Sequence, residues 1–98
     1  MEGSVERGRK AVLVRVAGRV QGVGFRVWTR GEAEKLGLAG WVRNEPDGAV
    51  KALFVGSEAA VSTMMQRFQK GPPGAVVTGV APEEMESADA PAGFRIAG

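Results

Sequence analysis

The chain has 98 residues, of which 44% are hydrophobic, and a formal net charge of +2, which describes one small globular domain with a single core. It contains no cysteine and no histidine, so a cysteine-based phosphatase, a phosphohistidine enzyme, a Ser-His-Asp hydrolase and a copper chaperone are excluded. The small positive charge says little about partners, because nucleic-acid binders usually concentrate many more basic residues on one face.

The first predicted strand follows a polar leader. Residues 1–10 are rich in charged side chains, and we expect them to form a flexible leader ahead of a single domain of residues 11–98. From Ala11 onward, valine occupies every second position, which predicts a strand that ends at Gly18. The alternate positions are partly apolar as well, as is typical of a central strand.

The loop after this strand has the composition of an anion cradle. It reads Gly18-Arg19-Val20-Gln21-Gly22-Val23-Gly24-Phe25-Arg26 and leads into a helix. Its glycines allow tight turns that point backbone N–H groups inward, and the helix N-terminus adds partial positive charge. Residues 15–30 hold four arginines and no acidic residue, so the local field should be positive. Phosphate is the favoured anion, although the spacing matches neither the dinucleotide fingerprint nor a P-loop.

An amphipathic helix is predicted between this loop and Gly37. Four residues at helical spacing form its buried face: Phe25, Thr29, Ala33 and Leu36. Three charged residues form the opposite row: Arg26, Arg30 and Glu34. Arg26 therefore lies at the start of the helix, where its guanidinium can bind an anion held by the loop.

A hairpin and a second helix follow. The strands 38–44 and 49–55 flank Glu45-Pro46-Asp47-Gly48, whose residues are in turn order. Ser57 is the predicted N-cap of a helix that ends before Gly71-Pro72-Pro73. Its apolar residues recur at i, i+3, i+4 and i+7, namely Val61, Met64, Met65 and Phe68.

The last elements complete a fold prediction. The sequence predicts a further strand at residues 76–80 and a short closing strand at residues 94–96. Between them, the stretch from Pro82 to Gly93 is predicted to have no regular secondary structure. The order βαββαβ predicts an α+β, ferredoxin-like sandwich with a mostly antiparallel sheet and both helices on one face. In this topology the first two strands are parallel, with the third between them.

This topology places Asn44 near the loop. Gly18 and Asn44 leave the sheet at the same edge, about 10 Å apart at roughly 4.8 Å per strand spacing. Asn44 is therefore within side-chain reach of an anion held by the loop. The residue types alone favour a structural role for Asn44 over a functional one, because asparagine often caps a turn.

Two segments resemble the motifs of the acylphosphatase family: the 18–26 loop sequence quoted above, and Gly40-Trp41-Val42-Arg43-Asn44 followed by Asp47-Gly48-Ala49-Val50 and Gly56. The resemblance spans about residues 11–96, and the length fits a free-standing member. It implies metal-independent hydrolysis of acyl phosphates to a carboxylate and inorganic phosphate. It also implies that Arg26 and Asn44 are catalytic, with Asn44 positioning the attacking water. The phosphate-binding residues would be Arg19, Val20, Gln21, Gly22, Val23, Gly24 and Arg26.

Two functions other than an enzyme are compatible with this fold. RNA-recognition modules share this fold, but Val23 stands where a stacking aromatic residue should be, and the glycines follow the first strand instead of lying in the third. A non-catalytic anion-sensing domain would bind phosphate without turnover. We expect a cytoplasmic protein, because the N-terminus has no signal-peptide core. We expect no metal, because the two aspartates, Asp47 and Asp89, are far apart in the sequence. We further expect a monomer without a cofactor, whose partners are the acyl phosphate and inorganic phosphate and not a nucleic acid or a membrane.

Overall fold

A single sheet with two helices makes up the part of the chain that the computed structural model describes, residues 9–85 and 92–97. Its strands are β1 (Arg9–Arg19), β2 (Ala39–Asn44), β3 (Val50–Ser57), β4 (Val76–Met85) and β5 (Phe94–Ile96). The helices are α1 (Phe25–Lys35) and α2 (Glu58–Lys70). Neither helix in this part of the chain is long and apolar enough to cross a membrane.

The strand pairing confirms the predicted ferredoxin-like sandwich. The strand order in the sheet is β4-β1-β3-β2-β5. Strand β3 is antiparallel to both β1 and β2, so β1 and β2 run in the same direction on either side of it. Strand β4 is antiparallel to β1, whereas the short β5 is parallel to β2. The ends of β1 and β2 that carry the predicted site residues therefore lie at the same edge of the sheet.

Both helices cover the same face of the sheet, and aromatic rings connect them to it. Phe68 of α2 makes edge-to-face contacts with Phe25 of α1 at 5.4 Å and with Phe54 of β3 at 5.2 Å between ring centroids. The ring of Phe54 in turn stacks on that of Phe94 at 5.6 Å. On the opposite face, which carries no helix in the described residues, a smaller apolar cluster forms around Ala11, Leu53 and Val55.

Most of the residues predicted for the inner faces of the helices are buried, but Leu36 of the predicted α1 face follows the last residue of the helix, Lys35, and is half-buried. Phe25, Thr29 and Ala33 of α1 are buried, and the Thr29 hydroxyl donates to the Phe25 carbonyl oxygen at 2.8 Å. At the start of α2, the Ser57 Oγ accepts a hydrogen bond from the Ala60 N–H at 3.1 Å. Three of the four apolar residues predicted for the inner face of α2 are buried, namely Val61, Met64 and Phe68, whereas Met65 is half-buried and packs against the core.

The irregular stretch predicted from Pro82 is wrong at its start. Strand β4 continues through Pro82 to Met85, with Pro82 opposite Val14 of β1. Proline is tolerated there because β4 is an outer strand, so a residue without an N–H can occupy the unpaired side of the ladder. Residues 86–91 of the predicted stretch lie outside the described residues.

The first strand is longer than predicted at both ends. It begins at Arg9, two residues before Ala11, and continues past Gly18 to Arg19, which is opposite Val76 of β4. The pairing shifts register between Ala17 and Gly18, which marks a β-bulge. Residues 1–8 of the predicted leader lie outside the described residues.

Gly40 in β2 is required by the sheet. Its φ of 137° lies in the region that favours glycine, and a Cβ there would overlap the Leu53 carbonyl oxygen of β3. We expect Gly40→Ala to lower the free energy of unfolding by about 2–4 kcal/mol, measured by denaturant titration. At about 4–8 °C per kcal/mol the Tm would fall by roughly 8–32 °C.

Gly79→Ala is the matched control for this prediction. Gly79 also lies in a strand, but a Cβ there would have no neighbour within 4 Å. Its replacement should change stability by less than about 0.5 kcal/mol. Equal destabilisation by both substitutions would contradict the explanation from crowding at Gly40.

Candidate active site

A small cavity lies where the ends of β1 and β2 meet the start of α1. Its volume is about 100 Å³. The residues that line it are Val20, Gln21, Gly22, Gly24, Phe25, Arg26, Val27 and Asn44. The fold thus brings Arg26 and Asn44, which are 18 positions apart in the sequence, to the same cavity.

Most of the site residues predicted from the sequence line this cavity, but two do not. Arg19 is the exposed last residue of β1, and Val23 packs its partly buried side chain against the core. The cavity adds Phe25 and Val27, which the sequence prediction did not include. Val27 is 59% exposed although apolar, and its position directly after Arg26 was the only signal for it in the sequence.

The loop conformation leaves the N-terminus of α1 without a side-chain cap. Gly22 and Gly24 have φ values of 78° and 75°, in the left-handed region that glycine adopts without steric cost. The N-cap residue is Gly24, which has no side chain with which to cap the helix, and the first turn contains no acidic residue. Backbone N–H groups and the positive end of the helix dipole are therefore directed at this region, which suits an anion.

Strand β2 directs Asn44 toward the same cavity. Successive residues of a strand alternate between faces, so Asn44 lies on the same side as Gly40 and Val42, which are buried. The Asn44 Oδ1 atom is buried and has no hydrogen-bond partner among the described residues. A buried carbonyl oxygen without a donor costs about 1–3 kcal/mol. Asn44 thus places at the cavity an acceptor oxygen that no donor of the described residues satisfies.

The arginines of the acid-free segment are not all directed at the cavity. Arg15 alternates with the core residues Val14 and Val16 and forms an ion pair with Asp47. Arg26 is the second residue of α1 and lines the cavity. The positive field predicted from four arginines is therefore supplied at the cavity by Arg26 and the helix N-terminus, and not by Arg15.

The acidic residues closest in sequence to Asn44 are held by basic partners. The Glu45 carboxylate accepts from Arg43 Nε at 2.7 Å, and the Arg43 guanidinium lies 4.7 Å from the centre of the Trp41 ring. The Ala49 N–H donates to the Asp47 carboxylate, and this bond, followed by the Arg15 guanidinium, keeps the pKa of Asp47 below its usual value of 3.8. Across residues 9–85 and 92–97, no three carboxylates come together as a metal site.

The Gln21 side chain connects the loop after β1 to the turn after β2. Its Nε2 donates to the carbonyl oxygens of Glu45 and Ala49, both at 2.9 Å. Both amide hydrogens are used in these bonds, so only the backbone N–H of Gln21 can serve the anion role predicted for it. No spacing in the sequence indicates this link, because its acceptors are backbone atoms 24 and 28 residues away.

Comparison with known proteins gives a consistent result. The sequence model of the family described as Acylphosphatase matches residues 12–96. The acylphosphatase of Rhizobium meliloti (strain 1021) is 67% identical over 88 residues, which cover 90% of this chain and 93% of that protein. An acylphosphatase structure from Coxiella burnetii superposes with a TM-score of 0.88 at 35% identity and covers 94% of this chain and 96% of that one. For the Bacillus subtilis acylphosphatase the TM-score is 0.86 at 39% identity, with coverages of 90% and 98%.

Proposed function

This chain belongs to the acylphosphatase family and is an enzyme that hydrolyses acyl phosphates, and we propose that it does so without a metal ion. In this proposal, backbone N–H groups of the 19–24 loop and the Arg26 guanidinium hold the phosphoryl group. Asn44 positions the water that attacks phosphorus. The products are a carboxylate and inorganic phosphate.

The observation that carries this proposal is the unpaired Asn44 Oδ1 at the cavity. A carbonyl oxygen accepts but does not donate, so a water bound to it donates one O–H and directs a lone pair away from it. An amide oxygen is too weak a base to remove the proton. We therefore assign the proton to the substrate phosphate or to bulk water late in the reaction, and assign to Asn44 only the orientation of the water.

The chemistry of an acyl phosphate suits a chain without histidine. Its leaving group is a carboxylate, which is stable without a proton, so hydrolysis needs no strong general acid. The remaining work is to spread the charge of the phosphoryl oxygens and to align the water with the leaving group. Preorganised donors perform this work, and removing one such donor typically costs about 100- to 1,000-fold in kcat.

The donors at the cavity match these requirements. Residues 22 and 24 adopt φ values that permit a tight loop, and helix α1 begins there without a side-chain cap. Arg26 brings a planar guanidinium that can bind two phosphoryl oxygens at once. The sequence has neither histidine nor cysteine, and Glu45 and Asp47 are paired with arginines, so the donor set favours an anion over a cation.

The test of metal independence is hydrolysis of benzoyl phosphate by the purified protein after treatment with a chelator. We expect turnover to be unchanged by the chelator, and inorganic phosphate to inhibit competitively, because as a product it occupies the same cavity. Activity that disappears with the chelator and returns on addition of Mg²⁺ would contradict the proposal. A protein treated identically but without chelator is the control.

The same assay addresses the alternative functions. A sensing domain would bind phosphate without hydrolysing the substrate, and family membership favours the enzyme over both sensing and RNA binding.

A cytoplasmic location, a monomeric state and the absence of nucleic-acid or membrane partners stay predictions. Gel filtration coupled to light scattering measures the oligomeric state directly.

A further inference from the structure

The 45–49 turn, residues 45 to 49 between β2 and β3, closes without help from Gln21. The Glu45 carbonyl oxygen accepts from the Gly48 N–H at 3.1 Å, and the Ala49 carbonyl oxygen accepts from the Glu45 N–H at 2.8 Å. The Gln21 Nε2 is thus a second donor to each oxygen. A carbonyl oxygen has two lone pairs, so both can accept twice. Loss of the Gln21 amide would leave neither oxygen unpaired.

What the Gln21 amide adds is a connection between two separate segments. One segment is the loop that follows β1 and leads into Arg26. The other begins directly after Asn44, the last residue of β2. Strand β3 lies between β1 and β2 in the sheet, so these segments are not hydrogen-bonded neighbours through the ladder. The amide joins them beside the cavity, which is lined by residues of the loop and by Asn44, the residue that directly precedes the turn.

We propose that Gln21 is a positioning residue that sets the distance between the 19–24 loop and Asn44. This proposal rests on the proposed function, in which the loop holds the phosphoryl group and Asn44 holds the water. In-line attack requires the water oxygen at a fixed distance and direction from phosphorus, and a displacement of about 1 Å costs on the order of 100-fold in rate. The Gln21 side chain fixes this relation without touching either reactant.

Two features separate this role from a purely structural one. Gln21 is only partly buried, and its loss leaves the turn closed, so the stability of the fold depends little on its amide. The loop also keeps its backbone N–H groups when the side chain changes, so phosphate binding should persist. The expected loss therefore falls on kcat and not on the inhibition constant for phosphate.

Gln21→Met tests the proposal, because methionine has a similar length but no donor. We expect kcat for benzoyl phosphate to fall about 10- to 100-fold, the range typical of residues that orient the groups in contact with the reactants. The KM, the phosphate inhibition constant and the Tm should stay close to wild type. Gln66→Met is the matched control, because Gln66 is exposed on α2 and lies away from the cavity, and it should leave kcat unchanged.

A double-mutant cycle with Asn44→Ala shows whether Gln21 acts through Asn44. When the water is no longer held, its position relative to the loop ceases to matter, so Gln21→Met should cost less than about 3-fold in the Asn44→Ala background. An equal loss in both backgrounds would overturn the proposal. Wild-type kcat in Gln21→Met, or a loss explained entirely by unfolded protein, would overturn it as well.

Gln21→Asn is the second variant, for the case in which methionine perturbs folding. It keeps the amide but is one methylene too short to span both carbonyl oxygens, and the same loss of kcat is expected. Wild-type protein that fails to hydrolyse benzoyl phosphate would overturn the proposed function, and with it the role of Gln21. Active wild type with fully active Gln21 variants would overturn the positioning role alone.

Discussion

Replacement of Arg26 by alanine is expected to lower kcat/KM for benzoyl phosphate by about 1,000-fold or more, the range found for arginines that stabilise a phosphoryl-transfer transition state. The guanidinium lines the cavity at the start of α1, and it is the charged donor there that can contact the phosphoryl oxygens in both the ground state and the transition state. Its loss should therefore weaken competitive inhibition by phosphate as well as turnover. Steady-state kinetics with phosphate as inhibitor measure both effects.

Two further arginine variants make this prediction specific. Arg26→Lys keeps the charge but loses the planar fork, so we expect it to recover part of the phosphate affinity and little of the turnover. Arg30→Ala removes an arginine one turn further along α1 that is exposed and outside the cavity lining, and should retain wild-type kinetics. If Arg30→Ala loses as much activity as Arg26→Ala, a diffuse positive field and not a specific contact explains the effect.

Replacement of Asn44 by alanine should separate turnover from binding. We expect kcat to fall about 100- to 1,000-fold, as for other preorganised polar groups at a transition state. The inhibition constant for phosphate should change less than about 3-fold, because the proposed donors to phosphate lie on the loop and α1. Initial rates and phosphate inhibition on the same preparation measure the two quantities.

Asn44→Asp distinguishes orientation of water from electrostatics. The aspartate retains an acceptor oxygen at the same place but adds negative charge beside the phosphoryl group. Phosphate inhibition should therefore weaken in Asn44→Asp but not in Asn44→Ala. Wild-type kcat in the alanine variant would remove the water-positioning role, whatever the result for aspartate.

Local sequence signals were sufficient to predict an element of secondary structure where that element depends on its own residues. Helix α2 follows from the cap at Ser57, the spacing of its apolar residues and the glycine at 71, and each of these acts within one or two turns. The meeting of Asn44 with the glycine loop was also predictable. It needs only the alternation of residues along β2 and the parallel arrangement of β1 and β2.

The features that were not predicted depend on distant partners. The extension of β4 through Pro82 depends on β4 being an outer strand, which its own sequence does not encode. The pairing of Arg15 with Asp47 removes one arginine from the expected positive cluster, and it requires the 45–49 turn to lie beside β1. The two bonds of Gln21 end on backbone oxygens, which carry no signature of residue type.

The two outer strands of the sheet that the described residues form are poor templates for pairing with another chain. Strand β5 has only three residues, which limits the ladder that a second molecule could add to it. Strand β4 is longer but contains Pro82, which lacks a donor, followed by the charged Glu83 and Glu84. Proline and charge on outer strands are the usual protection against association between sheet edges and against amyloid growth. Pro82, at which the sequence predicts an irregular stretch, thus also protects the enzyme from aggregation through β4.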